Sequence, residues 1–138
     1  MGTSALTGAD WVWKDGEFVA WDQAQVHLLS LAVQFGASVF EGIRCYDTPE
    51  GPAVFRLKEH IRRLEDSCRI YRMPLAHSAD ELLDACLETV RKNGLKDCYV
   101  RPMVLWGYGS AGERTPDAWR GCGDAGMRGC RDGHSASP

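Results

Sequence analysis

The 138-residue sequence lacks an apolar run of the roughly 18 residues that a membrane-spanning helix needs. Residues 1–10 also lack the basic and apolar segments of a signal peptide. There is no surplus of basic residues, because 16 Lys and Arg stand against 19 Asp and Glu for a net charge of −3. Proteins that bind nucleic acids in general, or the surface of acidic membranes, need such a surplus of Lys and Arg. We therefore expect a cytoplasmic protein that binds neither nucleic acid nor membrane.

The short motifs of several enzyme classes are absent. The sequence contains no GxSxG, HExxH or Walker A motif, and its histidines do not have the spacing of metal ligands. No two of the six cysteines form a CxxC pair; they occupy positions 45, 68, 86, 98, 122 and 130. The first four lie in apolar segments, where a free thiol packs as a small hydrophobic group. We expect a reduced protein without disulfides.

Large apolar residues become scarce after residue 112. Residues 113–138 contain no Ile, Leu, Val, Phe or Tyr, and they cannot bury enough surface to offset their ordering entropy. We predict a folded domain over residues 1–112, followed by a disordered tail or a frame-shifted translation of GC-rich DNA. A small metal site made of Cys122, Cys130 and His134 is a further alternative, although its spacing matches no common zinc motif.

Residues 1–112 have clear strand patterns. Stretches rich in β-forming residues flank Asp15-Gly16 and residues 47–51, and each arrangement predicts a β-hairpin. Residues 98–106 read as a further strand, in which Pro102 lacks a backbone donor and indicates an edge or a strand end. We therefore predict an antiparallel or mixed sheet built from hairpins.

Two amphipathic helices are predicted between these strands. Apolar residues recur at 4-3-4-3 spacing over residues 57–71, which gives one apolar stripe on a helix. Ser78 and Glu81 form a capping box that begins a second helix, and Asn93-Gly94 ends it. The order of elements predicts an α+β fold with the two helices on one face of the sheet.

One flank of the first predicted helix is basic. At 100° per residue His60, Arg63 and Ser67 lie along one edge of the apolar stripe, and Arg56 extends that edge. Two guanidinium groups, an imidazole and a hydroxyl are suited to bind a phosphate or carboxylate. The alternative is a solvated flank in which Glu59 and Arg63 form an ion pair.

A second group of candidate residues lies on the strand that follows residue 38. Phe40, Gly42 and Arg44 share one face of this strand, and Glu41 and Ile43 share the other. A glycine between an aromatic residue and an arginine leaves room for a ligand against the backbone. It equally allows a neighbouring element to pack closely.

Tyr99 and Arg101 form a third group, because they are two residues apart on a predicted strand and share a face. An arginine beside an aromatic residue often binds a carboxylate. The alternative is a cation at the rim of the fold that lies over an aromatic ring.

Three motifs in order resemble the branched-chain amino-acid aminotransferases. They are FGxSVFEGIRxY within residues 34–46, FRLxEHxxRL within residues 54–64, and YxRP at residues 99–102. The resemblance covers about residues 10–112 and corresponds to the small N-terminal domain of these fold-type IV pyridoxal-phosphate enzymes. D-amino-acid transaminases and aminodeoxychorismate lyases share that fold but look less similar over these motifs.

The resemblance implies roles for individual residues. Arg63 matches the ligand of the cofactor phosphate. Phe40, Gly42 and Arg44 match the substrate pocket, and Tyr99 and Arg101 match a pocket tyrosine and an arginine near the substrate carboxylate. Phe35 stands where many members have tyrosine. The implied complete enzyme is a homo-oligomer that uses pyridoxal 5′-phosphate to move the amino group of Leu, Ile or Val to 2-oxoglutarate, in branched-chain amino-acid biosynthesis.

The resemblance also implies a missing catalytic residue. In this family the lysine that forms a Schiff base with the cofactor lies in a large domain that the resemblance does not cover. The four lysines here, at positions 14, 58, 92 and 96, lie near turns and helix ends, where we expect solvated side chains that are poorly suited to act as nucleophiles. We therefore expect the isolated chain to be inactive. The alternative is a non-catalytic binding or dimerisation module.

Overall fold

A computed structural model describes residues 9–108 of the chain, as seven short strands, three helices and one 3-10 turn at Trp21–Gln23. The strands are β1 (Trp11–Lys14), β2 (Glu17–Ala20), β3 (Ser38–Phe40), β4 (Ile43–Thr48), β5 (Gly51–Val54), β6 (Cys98–Val100) and β7 (Met103–Leu105). The helices are α1 (Leu31–Phe35), α2 (Leu57–Ile70) and α3 (Ala79–Lys92). The alternatives for residues 113–138, including the metal site, lie outside the described residues.

The two predicted hairpins are both present. β1 pairs with β2 and β4 pairs with β5, each antiparallel. At the first turn Asp15 and Gly16 both have positive φ, of 51° and 95°, as the tightest hairpin turns require. The α+β class is confirmed, and every strand pairing within the described residues is antiparallel. The strands are divided among three small sheets, with the orders β1-β2, β3-β7 and β5-β4-β6.

Two of these sheets are parts of one interrupted ribbon, formed by residues 38–45 and 98–105. The register of β3 on β7 continues without a shift into that of β4 on β6. At the interruption the Glu41 N–H donates to the Pro102 carbonyl at 3.0 Å, but proline has no N–H to return the second bond. One ladder therefore becomes two short ones, and the inward–outward alternation of side chains is kept across the break.

Both predicted long helices are confirmed. α2 runs from Leu57 to Ile70. α3 begins at the predicted capping box, where the Ser78 N–H donates to the Glu81 carboxylate at 2.7 Å and the Ser78 hydroxyl accepts from the Glu81 N–H. The bonds from Ser78 lower the pKa of Glu81. Asn93 follows the helix, and its side-chain oxygen accepts the N–H groups of Asp10 and Trp11, which ties the first hairpin to α3.

The main core lies between the three-stranded sheet and the two long helices. Its buried members are Ile43, Cys45, Leu57, Ile61, Leu82, Cys86, Val90 and Val100. The four cysteines within the described residues are free thiols: three are buried, and Cys98 is partly buried. Burial raises the pKa of Cys86 to about 11. Cys122 and Cys130 lie outside the described residues.

A short helix precedes the ribbon without having been predicted. α1 begins at Ser30, whose hydroxyl accepts the Val33 N–H, and it ends at Gly36 with φ of 67°. Five residues are too few for a helical period to show in the sequence. Within residues 9–108, none of the helices combines the length and the apolar character needed to cross a bilayer.

Candidate functional site

One side of the ribbon carries five of the residues singled out from the sequence: Phe40, Gly42, Arg44, Tyr99 and Arg101. We call this side the outer face. The alternation predicted from the sequence holds here, because the intervening residues Glu41, Ile43 and Cys45 are at most 2% exposed. Phe40 and Tyr99, by contrast, are about half exposed, at 52% and 49%. The unshifted register brings two separately predicted groups of strand residues, one of three and one of two, onto one surface.

Gly42 is the point of closest approach on the outer face. A Cβ atom built on Gly42 would lie 1.9 Å from the hydroxyl oxygen of Tyr99, far inside any real contact. The sequence left open whether this glycine makes room for a ligand or for a neighbouring element. In this structure the space over Gly42 holds the end of the Tyr99 side chain.

Arg101 holds that tyrosine in place. Its Nη2 donates to the Tyr99 hydroxyl at 3.1 Å. The guanidinium carbon lies 4.6 Å from the centre of the Phe40 ring and 5.2 Å from that of the Tyr99 ring. The alternative of a rim cation over an aromatic ring therefore describes its position. Since Arg101 is exposed, its other N–H groups face solvent and can receive an anion.

Arg44 lies at the far end of the outer face. Its Nη2 donates to the Asp97 carboxylate at 2.8 Å, and its guanidinium lies 5.6 Å from the centre of the Tyr46 ring. Both members of the ion pair have side chains more than half exposed. Water screens such a pair, so it holds Arg44 weakly.

A second cluster forms on the helix side of the ribbon around Glu41, which is 2% exposed. One carboxylate oxygen of Glu41 accepts the Arg63 Nε–H at 2.8 Å. The other is bonded to Arg63 Nη2 at 2.5 Å and lies 2.9 Å from His60 Nδ1. The hydrogen bond from Arg63 is the main cause of the lowered pKa of Glu41, and it outweighs the opposing effect of burial. The carboxylate is therefore ionised at neutral pH.

One edge of the Arg63 guanidinium is hydrogen-bonded to Glu41, and the other edge faces solvent. Its side chain is 68% exposed although its Nε and Nη2 are occupied by Glu41. Arginine carries five N–H donors, so the outward part of the guanidinium retains donors for an anion. The alternative prediction of an ion pair between Glu59 and Arg63 is wrong, because Arg63 pairs with Glu41. The Glu59 carboxylate oxygen Oε1 lies instead 4.0 Å from Arg56 Nε.

Glu41 is the residue of this site that the sequence analysis did not single out. Its inward position on the strand was predicted, but no partner was assigned to it. The available signal was an acidic residue at a core-facing strand position, together with a helix whose flank carries His60 and Arg63. Because an ionised carboxylate is rarely buried alone, that combination indicates a buried ion pair.

The predicted site residues thus form two groups and one outlier. The outer face and the Glu41 cluster lie on opposite sides of the ribbon and meet through the backbone of residues 40–42. Phe35 ends α1 before the ribbon begins and is 76% exposed. It is therefore not part of the outer face in this structure.

A family model described as amino-transferase class IV matches residues 38–120. The chain is 50% identical over 111 residues to a branched-chain-amino-acid aminotransferase of Salmonella typhimurium, with 80% of this chain and 36% of that protein covered. It is 46% identical over 104 residues to one of Pseudomonas aeruginosa, covering 75% and 34%. The chain therefore spans about a third of the length of these relatives.

Solved structures of branched-chain amino acid aminotransferases also match this chain. The crystal structure of the Escherichia coli branched-chain amino acid aminotransferase matches with a TM-score of 0.73 and 50% identity, over 79% of this chain and 36% of that one. The T.th. branched-chain amino acid aminotransferase, complexed with N-(5′-phosphopyridoxyl)-L-glutamate, matches with a TM-score of 0.72 and 44% identity, over 75% and 35%. The arrangement of strands and helices described above is thus shared with these structures.

Proposed function

The chain belongs to the class IV aminotransferases, and from that premise we propose that it forms the phosphate-holding and substrate-facing part of a branched-chain amino-acid aminotransferase. The named relatives favour this activity over those of D-amino-acid transaminases and aminodeoxychorismate lyases. The proposed reaction moves the amino group of Leu, Ile or Val to 2-oxoglutarate, within cytoplasmic amino-acid biosynthesis. The single observation that carries the proposal is Arg63, fixed by buried Glu41 and open on its outer side.

Arg63 fits the phosphate end of pyridoxal 5′-phosphate. A phosphate monoester needs several N–H donors in a fixed orientation, and the side-on bond to Glu41 fixes the guanidinium plane while leaving outward donors unused. His60 lies beside it against the same carboxylate. When bound, the cofactor supplies the electron sink that amino transfer requires. This chain supplies Arg63 to bind the cofactor phosphate.

The outer face is suited to an amino acid with an aliphatic side chain. Phe40 offers apolar surface, and Arg101 offers exposed N–H donors to a carboxylate. The Tyr99 hydroxyl, which accepts from Arg101, limits the space over Gly42. We propose that these residues orient the substrate. Phe35, which stands where many members of the family have tyrosine, stays a proposed substrate residue on the resemblance alone, because this structure places it outside the outer face.

The lysines of this chain are poorly placed to hold the cofactor covalently. The Lys14 ammonium group donates to the Gln25 carbonyl, and that of Lys92 lies 4.4 Å from the centre of the Trp11 ring. Lys58 and Lys96 belong to α2 and to the segment before β6. We therefore propose that the isolated chain does not turn over substrate. Glutamate formed from leucine and 2-oxoglutarate by the purified chain with pyridoxal phosphate would contradict this.

A chimera tests the function directly. Residues 1–112 of this chain replace the matching segment of the Escherichia coli enzyme, and transfer from leucine to 2-oxoglutarate is measured. We expect activity, and we expect Arg63→Ala to weaken pyridoxal phosphate binding at least about tenfold. Arg62→Ala, one residue away on the same helix, is the matched control and leaves binding unchanged. A chimera that folds and binds the cofactor but transfers no amino group would refute the proposal.

A second candidate function, assembly with another subunit, is favoured by one observation. Four large apolar residues around α1 are more than half exposed: Leu28, Leu29, Val33 and Phe35. Such a group indicates a surface that is covered in an assembly. We propose a homo-oligomer on this basis. Light scattering tests it: a monomer at all concentrations, with no affinity for a full-length relative, would argue against it.

A further inference from the structure

Cys45 and Cys98 face each other on neighbouring strands. The register of β4 on β6 places them directly opposite, as one antiparallel pair. Opposite residues in such a pair project to the same side of the sheet, here toward the core. Cys45 is completely buried, and Cys98, packed against the same core cluster, is partly exposed.

The backbone around this pair fixes its spacing. The Phe55 N–H donates to the Arg44 carbonyl at 2.8 Å, so the backbone groups of Arg44 point toward β5. Those of the next residue, Cys45, consequently point toward β6, and Cys45 and Cys98 form a hydrogen-bonded pair. Such pairs have Cα atoms about 5.5 Å apart, within the range that a disulfide spans.

The two thiols also interact. The Cys45 S–H donates to the Lys96 carbonyl at a sulfur–oxygen distance of 3.8 Å. Burial and, after it, the neighbouring Cys45 thiol raise the pKa of Cys98 to about 11.

From this geometry we propose that Cys45 and Cys98 form an oxidation site, at which a small-molecule disulfide closes a covalent bond between β4 and β6. The Cys98 thiolate attacks one sulfur of the oxidant, forms a mixed disulfide and releases the first thiol. The Cys45 thiolate then attacks Cys98 Sγ and releases the second thiol. Two electrons pass from the protein to the oxidant, and the two thiol protons end on the released thiols.

The exposures of the two residues set the order of these steps. Cys98 is the partly exposed residue of the pair and is therefore assigned the first attack, and the buried Cys45 resolves the mixed disulfide. The bond ties together the strands that carry Arg44 and Tyr99, so it restrains the outer face from beneath. The site itself does not depend on the proposed enzymatic function.

The test uses the full chain with Cys122→Ser and Cys130→Ser, and the unsubstituted chain is run in parallel. After circular dichroism has established that the protein is folded, it is incubated with oxidised glutathione at about pH 8.5, for long enough that the small thiolate fraction of Cys98, whose pKa is about 11, can react. Remaining thiols are then alkylated in urea, and the unreduced digest is analysed by mass spectrometry. We expect a monomer two hydrogen atoms lighter, a Cys45–Cys98 linked peptide, and alkylated Cys68 and Cys86.

The controls separate proximity from general reactivity. Cys98→Ser loses no hydrogen atoms, whereas Cys68→Ser closes the bond as readily as the parent chain. Oxidation in urea gives mixed pairings, which shows that the fold selects the partner. A stable glutathione adduct on Cys98, a link to a different cysteine, or unreacted thiols in the folded protein would each overturn the proposal.

Discussion

The inner and outer sides of residues 40–45 differ in what they touch, although they alternate along one stretch of chain. The inner residues Glu41, Ile43 and Cys45 are buried against the helices. The outer residues Phe40 and Arg44 are about half exposed, and they contact the surface groups Arg101 and Asp97, respectively. Fold stability is therefore expected to depend mainly on the inner side of the strand, and the proposed substrate contacts lie on the outer side. The proposed phosphate contact, Arg63, is held from the inner side by Glu41. Substitutions on the two sides are expected to separate these properties.

The largest expected effect is at the centre of the inner side. Ile43→Ala removes a side chain that is 0% exposed and leaves a cavity, so we expect a loss of about 3 kcal/mol in the free energy of unfolding. Urea unfolding followed by tryptophan fluorescence measures it. Phe40→Ala, the matched control on the outer side, costs less than about 1 kcal/mol because half of that ring is already in water. Equal losses at both positions would refute the separation.

Glu41→Gln gives the next effect, because it removes the buried negative charge that faces Arg63 and leaves an amide with only one acceptor atom in place of two. We expect a loss of about 2 kcal/mol at neutral pH. The pKa of Glu41 is lowered in the folded chain from an ordinary value of 4.5. Its ionisation therefore stabilises the fold above that ordinary value, and the contribution is lost as the pH falls through the lowered pKa.

The pH dependence is what distinguishes this prediction. Urea unfolding of the parent chain and of Glu41→Gln is compared at neutral and at acidic pH. The difference in unfolding free energy between the parent chain and Glu41→Gln is largest at neutral pH and shrinks below about pH 4.5. Asp97→Asn, which removes an exposed carboxylate, is the control and gives almost no difference at either pH. A difference for Glu41→Gln that did not change with pH would contradict the role of the ion pair.

Gly42→Ala tests the close contact on the outer face. The new Cβ would displace the Tyr99 hydroxyl, and since that ring is about half exposed it turns outward at a cost of about 1 kcal/mol. The same change in a Tyr99→Ala background meets no hydroxyl. The double-mutant cycle, measured by urea unfolding, is therefore expected to show coupling of about the whole effect. Independent, additive losses would mean that the tyrosine is not held over this glycine.

The smallest effect is expected at Arg44. Removal of its ion pair with Asp97 by Arg44→Ala changes the unfolding free energy by less than about 0.5 kcal/mol, because both partners are exposed. In the chimera with the Escherichia coli enzyme, the same variant is expected to raise KM for leucine while cofactor affinity stays constant. A large loss of stability in Arg44→Ala would contradict this prediction, because it would mean that Arg44 stabilises the fold as the buried inner residues do.

Much of this arrangement was accessible from the sequence, because local patterns govern it. The Asp15-Gly16 turn, the Ser78–Glu81 capping box and the alternation through residues 40–44 depend on neighbours in the chain, and the structure has all three. The pairing of Glu41 with Arg63 was not predicted. An inward-facing acid and a basic helix flank indicated a buried ion pair, but the partner of Glu41 depends on how α2 packs against a strand 22 residues away in the sequence. The roles of the site residues in binding stay predictions.

The unbroken register across Glu41 and Pro102 has a consequence for how this region tolerates changes of length. An insertion or deletion of a single residue between β3 and β4 would reverse the face of the sheet on which each β4 side chain lies. Arg44 would then point toward the helices and Ile43 into water. The turn between β4 and β5 lies outside this constraint and can lengthen without disturbing it. Engineered loops or tags therefore belong at residues 49–50, and the short link at 41–42 has a fixed length.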